Sequence, residues 1–282
     1  MVEQVPKLSV VIPVYNEQSN VAPLHQQLLK SLANLEPFEI IFIDDGSTDN
    51  TLNELKRLNS VKIVRLERNY GQTAAFAAGI NLARGEWLVT IDGDLENDPA
   101  DIPRLLAKVE AGYDIVSGWR QQRWQGQFLR RRLPSWLANK LISLVTGVIL
   151  HDHGCSLKIY RRAYLQRLKI HGDLHRMLAA YIVSQHNAKI AEEPVRFRPR
   201  QSGRSKYGLS RTLKVLLDII TFHFFQSYGR RPMHFFGATG LLSLALAFLI
   251  AVWAVALRLI VGTHFIRTPL PILATMFFLI GT

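Results

Sequence analysis

The sequence predicts an α/β protein: a mostly parallel sheet with helices on both faces, followed by amphipathic helices and a C-terminal transmembrane region. Three observations predict it. Over residues 8–118, short apolar runs alternate with segments of helical spacing, the pattern of strands joined by crossover helices. Three of those strands end in polar clusters, PVYNE, DDGSTD and DGDLEND. Near the other end, Phe235 to Leu257 runs for 23 residues without a charge.

LSVVIPVY (Leu8 to Tyr15) reads as a buried strand, and Val21 to Leu35 carries apolar residues at helical spacing. FEIIFIDD (Phe38 to Asp45) is the second strand; GSTDNT supplies turn and N-cap residues for a helix through Leu58. VKIVRL is a third strand, Gln72 to Ala83 a helix, and Trp87 to Ile91 a fourth strand. Asp101 to Glu110 reads as helix and Asp114 to Gly118 as a short strand. Ligands of such sheets sit beyond the carboxyl ends of the strands, so the three polar clusters share one rim.

After Gly118 the pattern turns helical. Phe128 to Leu150 and Leu209 to Phe225 mix basic with large apolar residues and read as amphipathic, the second at a membrane surface. The 23 uncharged residues, at ~1.5 Å each, exceed the ~30 Å hydrocarbon core and predict a transmembrane helix. Arg230 and Arg231 precede it and place the preceding domain in the cytoplasm. Met1 to Lys7 leads straight into a strand, so no signal peptide is expected. A last apolar run, Leu270 to Thr282, is too short to span and reads as an incomplete second span. The expected domains are 1–207 catalytic, 208–231 interfacial and 232–282 transmembrane, with one full span at about 235–257 and an incomplete second apolar segment at 270–282.

The net charge is +12 and unevenly spread. Ile115 to His151 holds Arg120, Arg123, Arg130, Arg131, Arg132 and Lys140 with no acid; Pro194 to Arg231 holds nine Lys or Arg against Asp218. Such stretches attract phosphates and lipid headgroups rather than nucleic acid in this setting. A single cysteine, Cys155, excludes an internal disulfide and a cysteine zinc site. No GxGxxG follows the first strand, which excludes a dinucleotide-dependent dehydrogenase.

The chemistry concentrates at LVTIDGDLEND. Asp92 and Asp94, one residue apart at a strand end, can share an octahedral Mg²⁺ or Mn²⁺ whose other positions go to diphosphate oxygens. Asp44 and Asp45 end the second strand; one can accept hydrogen bonds from a base or ribose, with Asp45 preferred, while Asp44 alone can cap the turn toward Ser47. His151 and His153 flank Asp152, but an HxH without a third ligand reads as a turn or a phosphate contact. Arg123 and Trp124 follow two glutamines, yet the spacing fails for the QxxRW box of processive polysaccharide synthases.

PVYNE, DDGSTDNT, RNYGQTAAFAAGI and DGDLENDP, in this order and spacing, resemble family 2 glycosyltransferases with a GT-A (nucleotide-diphospho-sugar transferase, Rossmann-like) fold, nearest the polyprenyl-phosphate, dolichol-phosphate mannose synthase-like branch. The resemblance covers about Leu8 to Leu216. It implies nucleotide contacts from Pro13, Tyr15, Glu17, Ile43, Asp45, Asp92 and Gly93, and a metal held by Asp92 and above all Asp94. Glu96 stands where the family usually has Gln and joins the metal set. The resemblance further implies Arg120 near the phosphates, Arg131 and Ser135 on the acceptor phosphate, Arg176 facing the donor, and Arg200, Ser205 and Lys206 in a phosphate-holding loop. Asp152 is the position for a base, if there is one.

The expected activity is inverting transfer of a hexose from a nucleotide sugar, of UDP-glucose or GDP-mannose type, to polyprenyl phosphate at the cytoplasmic membrane face. The expected partners are the nucleotide sugar, the lipid phosphate, the membrane and Mg²⁺ or Mn²⁺; related enzymes are sometimes tetramers, which leaves a homo-oligomer open. A nucleoside-diphosphate leaving group needs a cation, whereas an anionic lipid phosphate needs arginines more than a base. The rival readings are a family 2 enzyme acting on a glycan acceptor and a non-catalytic nucleotide-binding scaffold.

Overall fold

The computed structural model describes residues 5–121, 123, 133–166, 177–199, 217, 220–222, 224, 227–229, 231–262 and 264–282. The chain divides into two compact units, Met1–Phe222 and His223–Thr282.

The first unit is built on strands β1 (Leu8–Val14), β2 (Phe38–Asp44), β3 (Val61–Arg65), β4 (Trp87–Thr90), β5 (Ile115–Trp119), β6 (Lys158–Arg161) and β7 (Ile190–Pro194). They form one sheet in the order β3-β2-β1-β4-β6-β5-β7. Between them run helices α1 (Val21–Leu32), α2 (Thr51–Lys56), α3 (Gln72–Leu82), α4 (Ile102–Glu110), α5 (Leu133–Thr146), α6 (Arg162–Leu165) and α7 (Leu178–His186). The expected elements through residue 118 are present with ends moved by a few residues.

β1 is a fully buried run because both faces of the sheet are covered. Val10 and Ile12 face one layer, under Leu24 and Leu28 of α1 and Leu105 of α4. Val11, with Ile41 and Ile43 of β2, faces the other, under Phe76 and Ile80 of α3 and Ile182 of α7. Strand periodicity of two thus divides one apolar run between two cores.

β1, β2, β3 and β4 pair in parallel, as do β5 and β7. The sheet is mostly parallel, as expected, and β6 is its antiparallel member. It lies antiparallel between β4 and β5, with Thr90 and Ser117 both opposite Lys158. The reason is where its chain enters: β5 ends at the polar rim, and residues 151–157 come back to that rim before β6 begins. β6 therefore runs away from the rim while its neighbours run toward it.

The second unit contains α8 (Pro232–Val261) and α9 (Leu270–Gly281). α8 has 30 residues and a mean hydropathy of 2.6 over its most apolar window, enough by length and composition to cross a membrane. At ~1.5 Å per residue it is about 45 Å long. α9, with 12 residues, is too short to span. The two helices pack through glycine: a Cβ on Gly240 would lie 3.0 Å from the Gly281 carbonyl oxygen. Phe224, Tyr228, Phe235 and Phe236 cluster at the start of α8, the kind of aromatic group that sits at a membrane interface. Most of the expected interfacial segment 208–231 lies outside the described residues.

Candidate active site

Asp92 follows β4 and opens a tight turn against the end of β1. A Cβ on residue 93 would approach Val14 Cγ1 to 2.6 Å, so only glycine fits between the two aspartates. Leu95 takes φ +62°, a left-handed conformation costing a leucine about 1–2 kcal/mol. The turn is held by the Glu96 amide, which donates to Asp94 Oδ1 at 3.1 Å. Asp92 is gripped more firmly: Gln72 Nε2, in the first turn of α3, donates to its Oδ1, and Ser156 lines the same pocket and favours the charged form of the carboxyl. Burial, and then the adjacent Asp94, push the Asp92 carboxyl up to about 7.

The acidic stretch divides after Glu96. Asp98 Oδ1 caps the next turn by accepting the Ala100 amide at 3.0 Å, and its Oδ2 pairs with Arg198 at 2.7 Å and Arg196 at 3.4 Å. Asp101 is fully buried and pairs with Arg196 and Arg104. These two carboxylates tie the acidic turn to the chain after β7, reinforced by the Arg198 amide donating to the Glu96 carbonyl at 2.9 Å. No ion pair holds Asp92 or Asp94 among the described residues.

The antiparallel course of β6 delivers the other half of the site. Residues 152–156 arrive beside the ends of β4 and β5, where Arg120 is buried. Its Nε donates to Asp152 Oδ2 at 2.7 Å and its Nη2 to Oδ1 at 3.1 Å, a two-pronged pair. Burial disfavours the Asp152 anion, but Arg120 outweighs it and holds the carboxyl below the usual aspartate value. The remaining guanidinium nitrogen, Nη1, lies 4.0 Å from Glu96. Beneath this turn the buried Lys158 ammonium donates to the His153 carbonyl at 2.8 Å. Burial pushes His153 down to about 4, so its imidazole is neutral near pH 7, and pushes Cys155 up to about 11, so its thiol stays protonated.

Asp92, Asp94, Glu96, Arg120, Arg123 and Lys158 line one pocket of about 60 Å³, closed on the helix side by Gln72 and Phe76. That volume takes an ion with a few waters and is far below the ~300–1,000 Å³ of a pocket enclosing a whole ligand. A pocket of this size suits an ion and the phosphate oxygens that would complete its shell. Among the described residues no three His, Cys, Asp or Glu side chains form a metal cage. This fits a cation held partly by substrate, since Mg²⁺ is usually bound through one or two carboxylates plus phosphate oxygens.

On the β1–β2 side of the rim, Asp44 accepts the Ser47 amide at 2.9 Å, as a turn cap does. Asp45 is buried and accepts the Tyr70 and Gly71 amides at 2.8 and 2.9 Å, fastening the loop that leads to Gln72. Pro13 is paired opposite Ile43. The Ile43 side chain is fully buried under α3, so a ligand at the rim meets this residue through its backbone only. Tyr15 and Glu17 follow β1 and are half-buried, with Asn20 Nδ2 donating to Glu17. His151 and His153 diverge: the first stacks on Trp119 at 4.2 Å and meets Glu192, the second meets Ser143. Ser135 lies in the first turn of α5; Arg131, Arg176, Arg200, Ser205 and Lys206 lie outside the described residues.

Residues 9–169 match the model of the family described as "Glycosyl transferase family 2". The chain belongs to glycosyl transferase family 2. Relatives similar over nearly the whole chain include the dodecaprenyl-phosphate galacturonate synthase of Rhizobium johnstonii, 43% identical over 94% of this chain and 80% of the relative. The undecaprenyl-phosphate 4-deoxy-4-formamido-L-arabinose transferase of Proteus mirabilis is 34% identical over 92% of this chain and 79% of the relative. Among solved structures, glucosyl-3-phosphoglycerate synthase from Mycobacterium tuberculosis, crystallised with Mn²⁺ and UDP-glucose, superposes with a TM-score of 0.60. It covers 78% of this chain and 79% of that one at 17% identity, which establishes a shared GT-A fold.

Sequence reasoning missed three parts of this family 2 site. Gln72 stands inside a motif quoted for the resemblance, directly after Gly71, but nothing local says that its amide reaches Asp92. Ser156 and Lys158 depend on β6 running antiparallel, a long-range pairing that a four-residue strand does not advertise.

Proposed function

We propose that the protein is a membrane-anchored inverting glycosyltransferase that moves a sugar from a nucleotide sugar to a polyprenyl phosphate at the cytoplasmic face of the plasma (inner) membrane. The observation that carries the acceptor class is the 43% identity to a dodecaprenyl-phosphate synthase, which extends over 94% of the chain, well beyond the residues that mark the family. A second relative is likewise named for a polyprenyl-phosphate acceptor, and the two names carry different sugars, so the likeness speaks for the lipid phosphate more than for the sugar. Exposed Trp136, Leu144 and Ile149 in and just after α5, beside Lys140, suit a surface close to lipid headgroups.

In this reading the donor diphosphate lies in the pocket between Asp94 and Arg120. Mg²⁺ or Mn²⁺ held by Asp94 and Asp92, with Glu96 beside them, would neutralise charge developing on the departing diphosphate. Pro13, Tyr15, Glu17 and Asp45 flank the nucleoside. Asp45 keeps one lone pair on each oxygen beyond its amide bonds, so it can receive a base or ribose donor. Asp152 acts on the reaction through Arg120. It fixes the guanidinium plane and leaves Nη1 toward the pocket, and a carboxyl held this acidic is a poor general base. The acceptor phosphate is already anionic near neutral pH and attacks the anomeric carbon directly, inverting it. Arg131, Ser135, Arg176, Arg200, Ser205 and Lys206 are proposed contacts for the two phosphate groups. The domain limits 1–207, 208–231 and 232–282, and a homo-oligomeric state, belong to the same proposal.

The test is a donor screen on membranes bearing the protein, with undecaprenyl phosphate, Mn²⁺ and labelled UDP- and GDP-sugars. A labelled lipid product from one donor supports the reading. Transfer to a soluble glycan but never to the lipid would replace it with the glycan-acceptor alternative.

A further inference from the structure

The two aspartates of the acidic turn are held in unlike ways. Asp94 accepts one backbone amide from its own turn. Asp92 meets two separate parts of the chain: the Gln72 amide at the start of α3 donates to its Oδ1, and Ser156, ahead of β6, lines the same pocket and favours the charged form of the carboxyl. Both residues are themselves fixed. The amides of Tyr70 and Gly71, immediately before Gln72, are bound by the buried Asp45. The Ser156 oxygen accepts from Asn97 Nδ2 at 2.9 Å, and the Ser156 carbonyl accepts from Thr90 Oγ1 at 2.7 Å. A neutral donor on one oxygen, with a hydroxyl-bearing neighbour beside it, restricts the rotation of a carboxylate and favours its charged form.

We propose that Gln72 and Ser156 are positioning residues that fix the Asp92 carboxylate for a divalent cation, with the loop pinned by Asp45 setting Gln72 in place. The inference rests on the reading of the DGD turn as the cation site and deepens it. Partners that orient a ligating carboxylate typically change metal affinity 10- to 100-fold when removed. Removing either side chain leaves Asp92 freer to rotate from the position the cation needs, while Asp94 and the diphosphate still bind. The loss therefore falls on metal affinity and is recovered by excess metal.

The experiment counts free Mn²⁺ by electron paramagnetic resonance during titration of the purified full-length protein, with Mn²⁺ alone and with UDP or GDP present. Gln72→Ala and Ser156→Ala are each expected to weaken Mn²⁺ binding about tenfold. Ser156→Thr, which keeps the hydroxyl, should stay near wild type, and the metal-free melting temperatures of all three should stay close to it. The donor KM at saturating Mn²⁺ should change little. Wild-type affinity in both alanine variants would overturn the positioning role, as would a Ser156→Thr variant as weak as Ser156→Ala. Those results, obtained with a wild type that binds Mn²⁺, leave the cation site standing. A wild type that binds no Mn²⁺ with either nucleotide would remove the cation site and this role together.

Discussion

Two halves of one acidic stretch meet opposite fates. Asp98 and Asp101 are matched by Arg196, Arg198 and Arg104 and cap or brace the helix that follows. Asp92 and Asp94, only a few residues earlier, have no such cation among the described residues and line a pocket instead. Each half carries a pair of aspartates; what separates them is whether an arginine closes an ion pair with that pair, since Arg120 lines the pocket but spends its strongest contacts on Asp152. The first half is left electrostatically unfinished in a place open to a ligand, and the Asp92 carboxyl pushed up to about 7 is the mark of it. The second half is finished by the protein itself and serves stability.

The largest effect that would sharpen this contrast is on turnover. Asp94→Ala should lower sugar transfer by about a thousandfold or more while the melting temperature barely moves, because the lost interaction is worth several kcal/mol only in the reaction. A melting temperature that collapses alongside activity would place Asp94 with the structural half.

Next comes the buried pair. Asp152→Ala removes the partner of a buried guanidinium and should cost about 3–5 kcal/mol in urea unfolding. Because the Asp152 carboxyl is held below its unfolded value, this stabilisation is present above the unfolded pKa and is lost as pH falls through the still lower folded one. The wild type should thus lose its advantage over Asp152→Ala only in strong acid.

Asp92 runs the other way. Its folded carboxyl titrates near 7, above the unfolded value of 3.8, so the metal-free fold is favoured while the group is protonated. That advantage is lost as pH rises toward and through about 7. The melting temperature of metal-free protein should therefore fall between pH 5 and pH 8, and Asp92→Asn should flatten the slope. A slope unchanged by Asp92→Asn would contradict the assignment. Smallest is Arg198→Ala: an ion pair with a half-exposed arginine should contribute about 1 kcal/mol or less, and Mn²⁺ binding should not change.

The comparison also shows what local sequence can reveal. β1, β2 and β4 were legible because each is a continuous apolar run closed by a polar cluster, and the position of Asp92–Gly93–Asp94 follows from β4 alone. The division of the acidic stretch was not legible. Arg198 pairs with Asp98 from 100 residues away, and nothing in the spacing of the acids says which of them an arginine will reach. The Arg120–Asp152 pair needed β6 to lie antiparallel between β4 and β5, a placement set by the sheet rather than by KIYR. Asp45 could be read as a rim residue from the end of β2, but its bonds to Tyr70 and Gly71 come from a loop whose course is fixed only by tertiary packing.

The most direct measurement of the central claim is transfer of labelled sugar to undecaprenyl phosphate by wild type, Asp94→Ala and Arg198→Ala proteins in the same membranes, with and without chelator. The account predicts a labelled lipid product from wild type and Arg198→Ala, abolished by chelation, and none above background from Asp94→Ala. Equal product from Asp94→Ala and wild type, or product indifferent to chelator, would contradict it.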